Sequence, residues 1–531
     1  MTTPDLAELW TRAAATAADH HTITTLGVPS PVLMERAALA CAAAIARVRA
    51  GRPVHVLCGP GNNGGDGAAL ARVLHGRGVP VQLHALAQRE GEALGQQLAL
   101  ARAHGVAIAR GVPGPLAGPA VIVDAMLGTG AAPPLREPYL AAVAWANAAD
   151  ATRVAVDLPT GVDADSGAVP GPAFHADLTV TFQRSKPGLH LTPARAYVGR
   201  LVVADIGLVG ALASTQPTRA ATPADASADV GALASTQPTR AATTAGAIAL
   251  IGPAAVRGWL AALPAGRHKG ERGHVGVVGG SAGTPGAAVL AGAAALRGGA
   301  GLVTIASGDA EVQAQLLAHR PELMVTRRED PPVPRADALV VGPGLTRDAD
   351  RRDLAALYAR DPRPAVWDAS ALAEIAGPTT GGPRVLTPHP AEAARLLSAR
   401  SGRAWTTADV QADRLAAARA VAAQTGAIVV LKGEGSVIAD ADRAAIAISG
   451  GPALATAGTG DCLAGLIGAL LARGLDPWPA ACVGVHVHGV AGELLAAERR
   501  TALALDVADA IGRALADLPA AHPRWPALYL G

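Results

Sequence analysis

The sequence predicts a two-domain α/β protein, and three observations carry that prediction. The chain has 531 residues, more than one hydrophobic core usually serves. A direct repeat, VGALASTQPTRAAT, fills residues 209–222 and again 230–243, and its lack of an apolar period predicts a flexible linker. On both sides, short β-branched runs alternate with Ala-rich helical stretches, which is typical of mostly parallel sheets covered on both faces. We expect domains at 1–208 and 246–531 that fold and work independently, joined by a linker at 209–245.

The predicted strands are short and end in polar or glycine-rich loops, where ligands bind in parallel sheets. In the first half they lie at 53–59, 79–86, 120–127, 153–159, 177–182 and 200–207. In the second half they lie at 274–280, 302–307, 338–344, 364–370, 384–390 and 427–433.

Composition excludes several classes of protein. Half of the residues are hydrophobic, and the 45 basic residues nearly balance the 43 acidic ones, so no basic surface for nucleic acid is expected. The four cysteines, Cys41, Cys58, Cys462 and Cys482, form no CxxC pair, which argues against a disulfide framework or a zinc site and favours a reducing cytoplasm. We read no signal peptide and no membrane span.

The loop GPGNNGGDG, residues 59–67, follows a predicted strand and precedes a helical stretch. Gly59, Gly61 and Gly64 have the GxGxxG spacing that brings a backbone close to a pyrophosphate at a helix N-terminus. By itself this match is weak. The next strand, VQLHALAQ, lacks the carboxylate that would bind a ribose, which disfavours an NAD-linked oxidoreductase.

Oxygen-bearing side chains cluster at three neighbouring strand ends. Asn62, Asn63 and Asp66 share the first loop, Asp124 lies in VDAMLGTG, and Thr160 in VDLPTG. Such ligands suit a hard cation or ribose and phosphate, although Asn and Asp also stabilise turns. The second glycine loop, GTG at 128–130, has two interpretations: it is part of this site, or it is a simple turn.

The strongest local signal in the second half is TAGTGDCLAGLIGALLARG, which begins at Thr456. The glycine turn at 458–460 would present backbone N–H groups at a helix N-terminus, and Asp461 would act as a general base beside a developing phosphate anion. The alternative is that Asp461 is only a helix cap. The chain has just three lysines, Lys186, Lys269 and Lys432, and each lies next to or near a glycine.

The first half resembles the NAD(P)HX epimerases, or YjeF N-terminal domains, over roughly residues 5–208. GPGNNGGDG, DAMLGTG, DLPTGVDADSG and FQRSKPGL carry the resemblance. It implies a Rossmann-like three-layer α/β/α sandwich and a potassium ion at Asn63, Asp124 and Thr160. Epimerisation needs an acid/base group near the hydroxyl, for which Asp157 is our candidate, and the alternative is that this carboxylate only holds a ribose. The implied contacts to the hydrated dinucleotide are Asn62, Asn63, Gly64, Gly65, Asp66, Gly128, Thr129, Gly130, Ala131, Ala132, Pro133, Pro134 and Asp157. LMERAA at 33–38 and Thr160 depart from the usual LMENAG and Ser.

The second half resembles the ADP- or ATP-dependent NAD(P)HX dehydratases, over roughly 246–525. GTGD is shared with ribokinase-like kinases, while HKGERGHVGVVGGSAGTPGA, GPGLT, TPHPAE and LKGEGSVI narrow the match. The resemblance implies a ribokinase-like α/β domain that uses Mg²⁺ with ADP or ATP, and a catalytic Asp461. The implied dinucleotide contacts are Ala287, Gly344, His389 and Asp461, and the implied nucleotide contacts are Lys432, Gly433, Glu434, Gly435, Ser436 and Gly460. Ala391 and Thr346 depart from the glycines found there in the family.

For three histidines, a purely structural role is the alternative to ligand binding. His389 by itself could be a structural residue, and His486 and His488 in VGVHVHG are expected to pack or cap within an Ala-rich helix.

The two resemblances together imply a bifunctional enzyme, in which one domain epimerises hydrated NADH and NADPH and the other dehydrates the S epimer at the expense of ADP or ATP. One alternative is a ribokinase-like small-molecule kinase with an N-terminal dinucleotide-binding module. A second is that the N-terminal domain only binds its ligand, because fold does not fix function. We also expect a homo-oligomer.

Overall fold

A computed structural model describes residues 7–86, 89–131, 133–210, 246–261, 263, 268–308, 320–329, 331–346, 351–498, 501–518 and 527–529. Most of the repeat-containing linker, from 211 to 245, lies outside the described residues.

The N-terminal sheet has eight strands, and all of its neighbouring pairs are parallel. Its strands are β2 (Val54–Cys58), β3 (Val81–Ala85), β4 (Ala107–Arg110), β5 (Ala120–Ala125), β6 (Ala151–Val156), β7 (Leu178–Phe182), β8 (Arg200–Ala204) and β19 (Ala527–Tyr529), in the order β19-β8-β7-β6-β5-β2-β3-β4. The six strands predicted in this half are confirmed. The edge strand β4 was not predicted, and none of its four residues is buried.

Helices cover both faces of this sheet. The helices are α1 (Arg12–His20), α2 (Ser30–Ala46), α3 (Asn62–Gly76), α4 (Glu92–Ala103), α5 (Tyr139–Ala148) and α6 (Arg195–Val198). Alanine and leucine side chains of α2, α3 and α4 form one core with the strands, and α5 closes a second core on the other face. The domain is therefore the predicted three-layer sandwich.

The C-terminal sheet has eleven strands. They are β1 (Ala7–Leu9), β9 (Ala247–Ile251), β10 (His274–Val278), β11 (Leu302–Ser307), β12 (Met324–Arg327), β13 (Ala338–Val341), β14 (Ala365–Trp367), β15 (Arg384–Leu386), β16 (Ile428–Leu431), β17 (Val437–Ala439) and β18 (Arg443–Ala447), in the order β1-β9-β18-β17-β16-β15-β14-β13-β10-β11-β12. The six strands predicted here are confirmed. Antiparallel pairing is confined to β1 with β9 and to the β16, β17, β18 meander.

The helices of the C-terminal domain are α7 (Pro253–Ala261), α8 (Pro285–Arg297), α9 (Leu354–Arg360), α10 (Pro390–Ser401), α11 (Thr407–Ala412), α12 (Arg414–Thr425), α13 (Thr459–Ala472), α14 (Pro477–Glu498) and α15 (Ala504–Ala516). Helices α8, α13, α14 and α15 pack on one face of the sheet, and α10 and α12 pack on the other. Among the described helices, only α14 is long and apolar enough to span a membrane, but 78% of its apolar window is buried inside the domain, as in a core helix of a globular protein.

The two ends of the chain cross between the sheets, which corrects the predicted domain membership of residues 7–9 and 527–529. Strand β1 pairs with β9, so that Leu9 is buried in the C-terminal core. Strand β19 pairs with β8 of the N-terminal sheet. Neither segment belongs to a predicted strand, and only tertiary pairing places them. The boundaries at 208 and 246 and the independence of the two halves stay predictions.

Candidate active sites

A cavity of about 520 Å³ lies beyond the carboxyl ends of β2, β5, β6 and β7. Helix α3 begins at Asn62 with Gly61 as its N-cap, so the first glycine loop becomes a helix N-terminus that faces the cavity. The predicted dinucleotide contacts that line it are Asn62, Asn63, Asp66, Gly128, Thr129, Gly130, Ala131 and Asp157. The structure thus brings most of the predicted site together from three separate loops.

The other predicted dinucleotide contacts do not line this cavity and lie behind or beside the residues that do. A Cβ on Gly64 would lie 2.0 Å from the carbonyl oxygen of Gly59, and a Cβ on Gly65 would lie 3.1 Å from Met34 Sδ. These two glycines therefore allow α3 to pack closely. Pro133 borders a neighbouring small cavity together with Thr160, Pro134 lines neither cavity, and Ala132 lies outside the described residues.

A buried ion pair forms the floor of the N-terminal cavity. Lys186 Nζ donates to Asp157 Oδ1 at 2.6 Å and to Thr181 Oγ1 at 2.8 Å, and the other carboxylate oxygen of Asp157 accepts from the backbone N–H of Thr129 at 3.2 Å. Both charged residues line the cavity. Sequence reasoning noted Lys186 only as a rare lysine and did not assign it to the site.

Asp124 and Thr160 form a tight pair beneath the second glycine loop. Thr160 donates to Asp124 through its backbone N–H at 2.7 Å and through its hydroxyl at 2.8 Å. Burial raises the pKa of Asp124 to about 6, although the hydrogen bonds from Thr160 and Met126 oppose the rise. Asn63 is also buried, and neither its amide oxygen nor its amide nitrogen has a hydrogen-bond partner.

The cavity holds two further carboxyl groups, on Asp66 and Asp19. Burial raises the pKa of Asp66 well above its ordinary value, and the negative charges of Asp157 and Asp19 raise it further. Asp66 and Asp157 thus share one cavity in different settings, since only Asp157 has a lysine partner in the described structure.

The second site is a cavity of about 400 Å³ in the C-terminal domain. All six predicted nucleotide contacts line it, namely Lys432, Gly433, Glu434, Gly435, Ser436 and Gly460. The loop at 432–436 follows strand β16, and Gly460 lies in the first turn of α13, so a strand end and a helix N-terminus face the same space.

Asp461 lies at this helix N-terminus but does not cap it. The N-cap of α13 is Gly458, in a left-handed conformation with φ of 91° and without a side-chain cap. Burial raises the pKa of Asp461 to about 7, and the negative charge of Asp368 adds to the rise while Lys432 opposes it. This arrangement favours the general-base interpretation over the cap.

Lys432 links Asp461 to two other carboxylates. Its Nζ donates to Asp368 Oδ1 at 2.7 Å and lies 3.9 Å from Glu392 Oε2. Burial by itself would lower the pKa of Lys432, but Asp368, Glu392 and Asp461 together raise it. Sequence reasoning missed Asp368, which follows strand β14 in WDAS.

A buried arginine supports the loop at 432–436. The guanidinium of Arg414, 1% exposed, donates to the carbonyl oxygens of Leu431, Lys432 and Gly435 at 3.2–3.4 Å. Arg414 begins helix α12, far in sequence from the glycine loop, and no motif marked it.

The predicted dinucleotide contacts of this domain fall into two places. A Cβ on Gly344, whose φ is 71°, would lie 3.2 Å from Ala287 Cβ, so these residues adjoin each other. His389 is the N-cap of α10 and accepts from the N–H groups of Ala391 and Glu392 at 3.2 and 3.3 Å. His389 therefore has the structural role that was its alternative interpretation, and its contact with a ligand stays a prediction.

His486 and His488 are both buried in α14. His488 also lines the 400 Å³ cavity, and burial lowers its pKa to about 4 while the hydrogen bond of its side chain with the backbone of Thr459 opposes the shift. Among the described residues, no group of three or more His, Cys, Asp and Glu side chains is arranged to hold a metal ion.

Taken together, the two sites define a nucleotide-handling α/β enzyme with two separate cavities, one beside a lysine–aspartate pair and the other beside a helix N-terminus with a buried carboxylate. Family descriptions match both halves: "YjeF-related protein N-terminus" over residues 30–188 and "NAD(P)H-hydrate dehydratase" over residues 275–513. The chain belongs to the family of bifunctional NAD(P)H-hydrate repair enzymes, which combine an epimerase and a dehydratase domain.

The similarity to curated members extends over both domains. The chain is 37% identical over 471 residues to the bifunctional NAD(P)H-hydrate repair enzyme of Escherichia coli (strain K12), covering 86% of this chain and 84% of that protein. It is 37% identical over 530 residues to the enzyme of Moorella thermoacetica, covering 92% and 93%. A Bacillus subtilis ADP/ATP-dependent NAD(P)H-hydrate dehydratase, co-crystallized with ATP/Mg²⁺, matches with 30% identity and a TM-score of 0.47, over 52% of this chain and 100% of that chain.

Proposed function

We propose that the C-terminal cavity binds ADP or ATP and that Asp461 removes the proton from the hydroxyl group of S-hydrated NADH or NADPH. The observation that carries this proposal is the position of Asp461, in the first turn of α13 beside the cavity that all six nucleotide residues line. A carboxylate whose pKa is about 7 is matched to a general base near neutral pH.

Hydroxide is a poor leaving group, whereas phosphate is a good one. The deprotonated hydroxyl oxygen attacks the terminal phosphate of the nucleotide, forming a new P–O bond as the bond to the AMP or ADP leaving group breaks. Phosphate then departs with the C–O bond electrons. A proton leaves the adjacent ring carbon, and the double bond of the dihydronicotinamide is restored.

The residues around Asp461 stabilise charge in this reaction. The glycine turn at 458–460 offers backbone N–H groups at a helix N-terminus, where an anion is favoured. Lys432 adds an ammonium group beside the turn, since its Nζ lies 3.3 Å from the position of a Cβ on Gly460. We propose that Mg²⁺ would be held here mainly by the nucleotide phosphates, as is common for this ion, and that it would supply positive charge against them. Asp368 and Glu392, beside Lys432, carry oxygen donors of the kind it prefers.

One assay separates this function from a small-molecule kinase. The protein is incubated with both epimers of hydrated NADH and with ADP, and recovery of dihydronicotinamide absorbance is followed. Full recovery indicates both activities, recovery of only the S fraction indicates the dehydratase alone, and a phosphorylated product without recovered absorbance indicates a kinase.

We further propose that the N-terminal cavity epimerises the hydrated dinucleotide with Asp157 as the acid/base group. The hydroxylated carbon is bonded to the ring nitrogen, so it can lose its configuration through an iminium or a ring-opened aldehyde. Asp157 lies in the cavity with Lys186 balancing its charge. Asp66, whose pKa is raised by burial and by neighbouring carboxylates, is suited to donate a proton in the same cavity.

Potassium is our proposal for the pair beneath the second glycine loop. Asn63, Asp124 and Thr160 fit such an ion, because the amide of Asn63 is buried without a partner and the set supplies oxygen donors with only one carboxylate. That weak field suits a large monovalent ion better than Mg²⁺. When bound, the ion would supply positive charge beneath the loop that lines the cavity.

Substitution of Asp124 tests the ion site. In the parent, potassium should raise the melting temperature above its value in sodium. Asp124→Ala should abolish this rise. It should also impair epimerisation, while dehydration of the S epimer continues. Thr160→Ser, which keeps the hydroxyl, is the matched control and should retain the potassium response. An unchanged epimerase rate in Asp124→Ala would contradict the proposal of an ion site that supports epimerisation.

A cytoplasmic location and a homo-oligomer also stay proposals. All four cysteines are free and buried, which accords with a reducing compartment. Fractionation of cells and light scattering of the purified protein test the two statements.

A further inference from the structure

A segment of the epimerase domain touches the nucleotide loop of the dehydratase domain. Thr192 Oγ1 donates to Glu434 Oε2 at 3.2 Å, and Arg195 Nε lies 3.5 Å from Glu434 Oε1. The backbones also approach closely, because a Cβ on Gly435 would lie 2.6 Å from the carbonyl oxygen of His190. The loop at 433–436 therefore has a wall that comes from the other half of the sequence.

This wall is anchored in the dehydratase domain. Leu191 is fully buried and belongs to the hydrophobic core on one face of the C-terminal sheet. Its carbonyl accepts from the backbone N–H of Arg195 at 3.0 Å, which ties the start of helix α6 to that buried residue. The nucleotide loop is thus held between Arg414 from below and the segment at 190–195 on another side.

Arg195 faces the nucleotide cavity itself. It lines the same 400 Å³ space as Lys432 and Gly460, and its side chain is 18% exposed. A guanidinium binds phosphate oxygens with a planar set of N–H donors and stays charged at all relevant pH values. The cavity needs cationic groups because it is to hold a di- or triphosphate.

We infer that Arg195 of the epimerase domain is a nucleotide-binding residue of the dehydratase site, where Glu434 and Thr192 position it toward the phosphate chain. The inference rests on the proposed use of ADP or ATP in this cavity. It opposes the sequence-based expectation that the two halves work independently, because it makes the dehydratase site incomplete without the epimerase domain.

The test uses the full-length protein and measures KM for ADP, KM for S-hydrated NADH, and kcat. We expect Arg195→Ala to raise the nucleotide KM about tenfold, the effect of losing a charge-assisted hydrogen bond, with the other KM and kcat within about twofold. Arg195→Lys should recover most of the nucleotide affinity, because a phosphate also accepts from an ammonium. Arg200→Ala is the matched control, since Arg200 is an exposed arginine of the same domain that does not line the cavity, and its nucleotide KM should equal that of the parent.

Arg195→Gln serves as a second variant if Arg195→Ala is insoluble. A nucleotide KM within twofold of the parent in the variant that folds would overturn the inference. So would equal rises in the KM values for nucleotide and hydrated dinucleotide, which indicate a general disturbance of the fold. Failure of the proposed function is distinct, because the parent protein would then not dehydrate the S epimer with ADP at all.

Discussion

The two active sites use the same device, a lysine paired with a buried aspartate at the carboxyl end of a parallel strand, in two different ways. In the epimerase domain Lys186 is 3% exposed and donates to Asp157, Thr181 and the carbonyl of Phe182. In the dehydratase domain Lys432 is 21% exposed and lies between Asp368 and Glu392, with Asp461 close enough to affect its pKa.

The difference shows that the same kind of ion pair can be placed in two different chemical environments. Lys186 is held on several sides, so the Lys186–Asp157 pair forms a fixed floor to its cavity. Lys432 has one close partner in Asp368, and the second site keeps a further carboxylate, Asp461, whose pKa of about 7 lets it exchange a proton near neutral pH. The two sites therefore differ in which carboxylate is proposed as the base: in the epimerase domain it is the paired Asp157 itself, and in the dehydratase domain it is Asp461, a further carboxylate beside the Lys432–Asp368 pair.

The largest expected effect comes from removing that base. Asp461→Asn keeps the size of the side chain and should lower the turnover number of dehydration by about 10² to 10⁴-fold, the usual contribution of a general base, with little change in nucleotide affinity. Epimerisation by the same protein is the internal control, because that site lies in the other cavity. Dehydration within a few-fold of the parent would show that Asp461 is not the base.

Methionine in place of each lysine sharpens the comparison of the two ion pairs. Lys186→Met leaves a buried carboxylate unpaired, which costs about 3–5 kcal/mol, so the melting temperature should fall by on the order of 10 °C. Lys432→Met also leaves a buried carboxylate unpaired, because Asp368 is 2% exposed, so it should lower the melting temperature by a similar amount and impair dehydration. Thermal melts with both activity assays measure these effects, and a melting temperature within a few degrees of the parent in either variant would contradict the stabilising role of that ion pair.

The pH profile of dehydration tests the role of Asp461 as the base without a substitution. Because the pKa of Asp461 is raised to about 7, the group is protonated below that pH and becomes a base above it. The ratio kcat/KM should therefore rise through pH 7, and at pH 6 it should be about one tenth of its plateau. The residual activity of Asp461→Asn should lack this inflection. An inflection near pH 4 in the parent would assign the base to an unperturbed carboxyl group.

The smallest effect is expected from shortening the linker. Deletion of residues 223–243 leaves one copy of the repeat, and a change in the length of a flexible connection costs only a few tenths of a kcal/mol to about 0.6 kcal/mol. Both activities should stay within about twofold of the parent. A tenfold loss of either one would show that the repeat does more than connect the domains.

The sequence by itself determined the parts of this protein that are local. The six residues expected to bind the nucleotide came from the resemblance of GTGD and LKGEGSVI to a known family, and they line one cavity. Twelve strands and the two glycine loops could be read from the sequence directly, because β-branched runs and glycine turns each lie within a few consecutive residues. Such features depend on backbone propensity and on turns, which neighbouring residues decide.

Only the tertiary structure decided the partners. Lys186 reaches Asp157 across 29 positions, Lys432 reaches Asp368 across 64, and Arg195 faces Glu434 from the other domain. The exchange of β1 and β19 between the sheets has the same origin, since a three-residue strand is placed by the edge that it pairs with. Charge pairing and edge pairing depend on distance in space, so no pattern along the chain marked Asp368 or Arg195 or showed which carboxylate each lysine would contact.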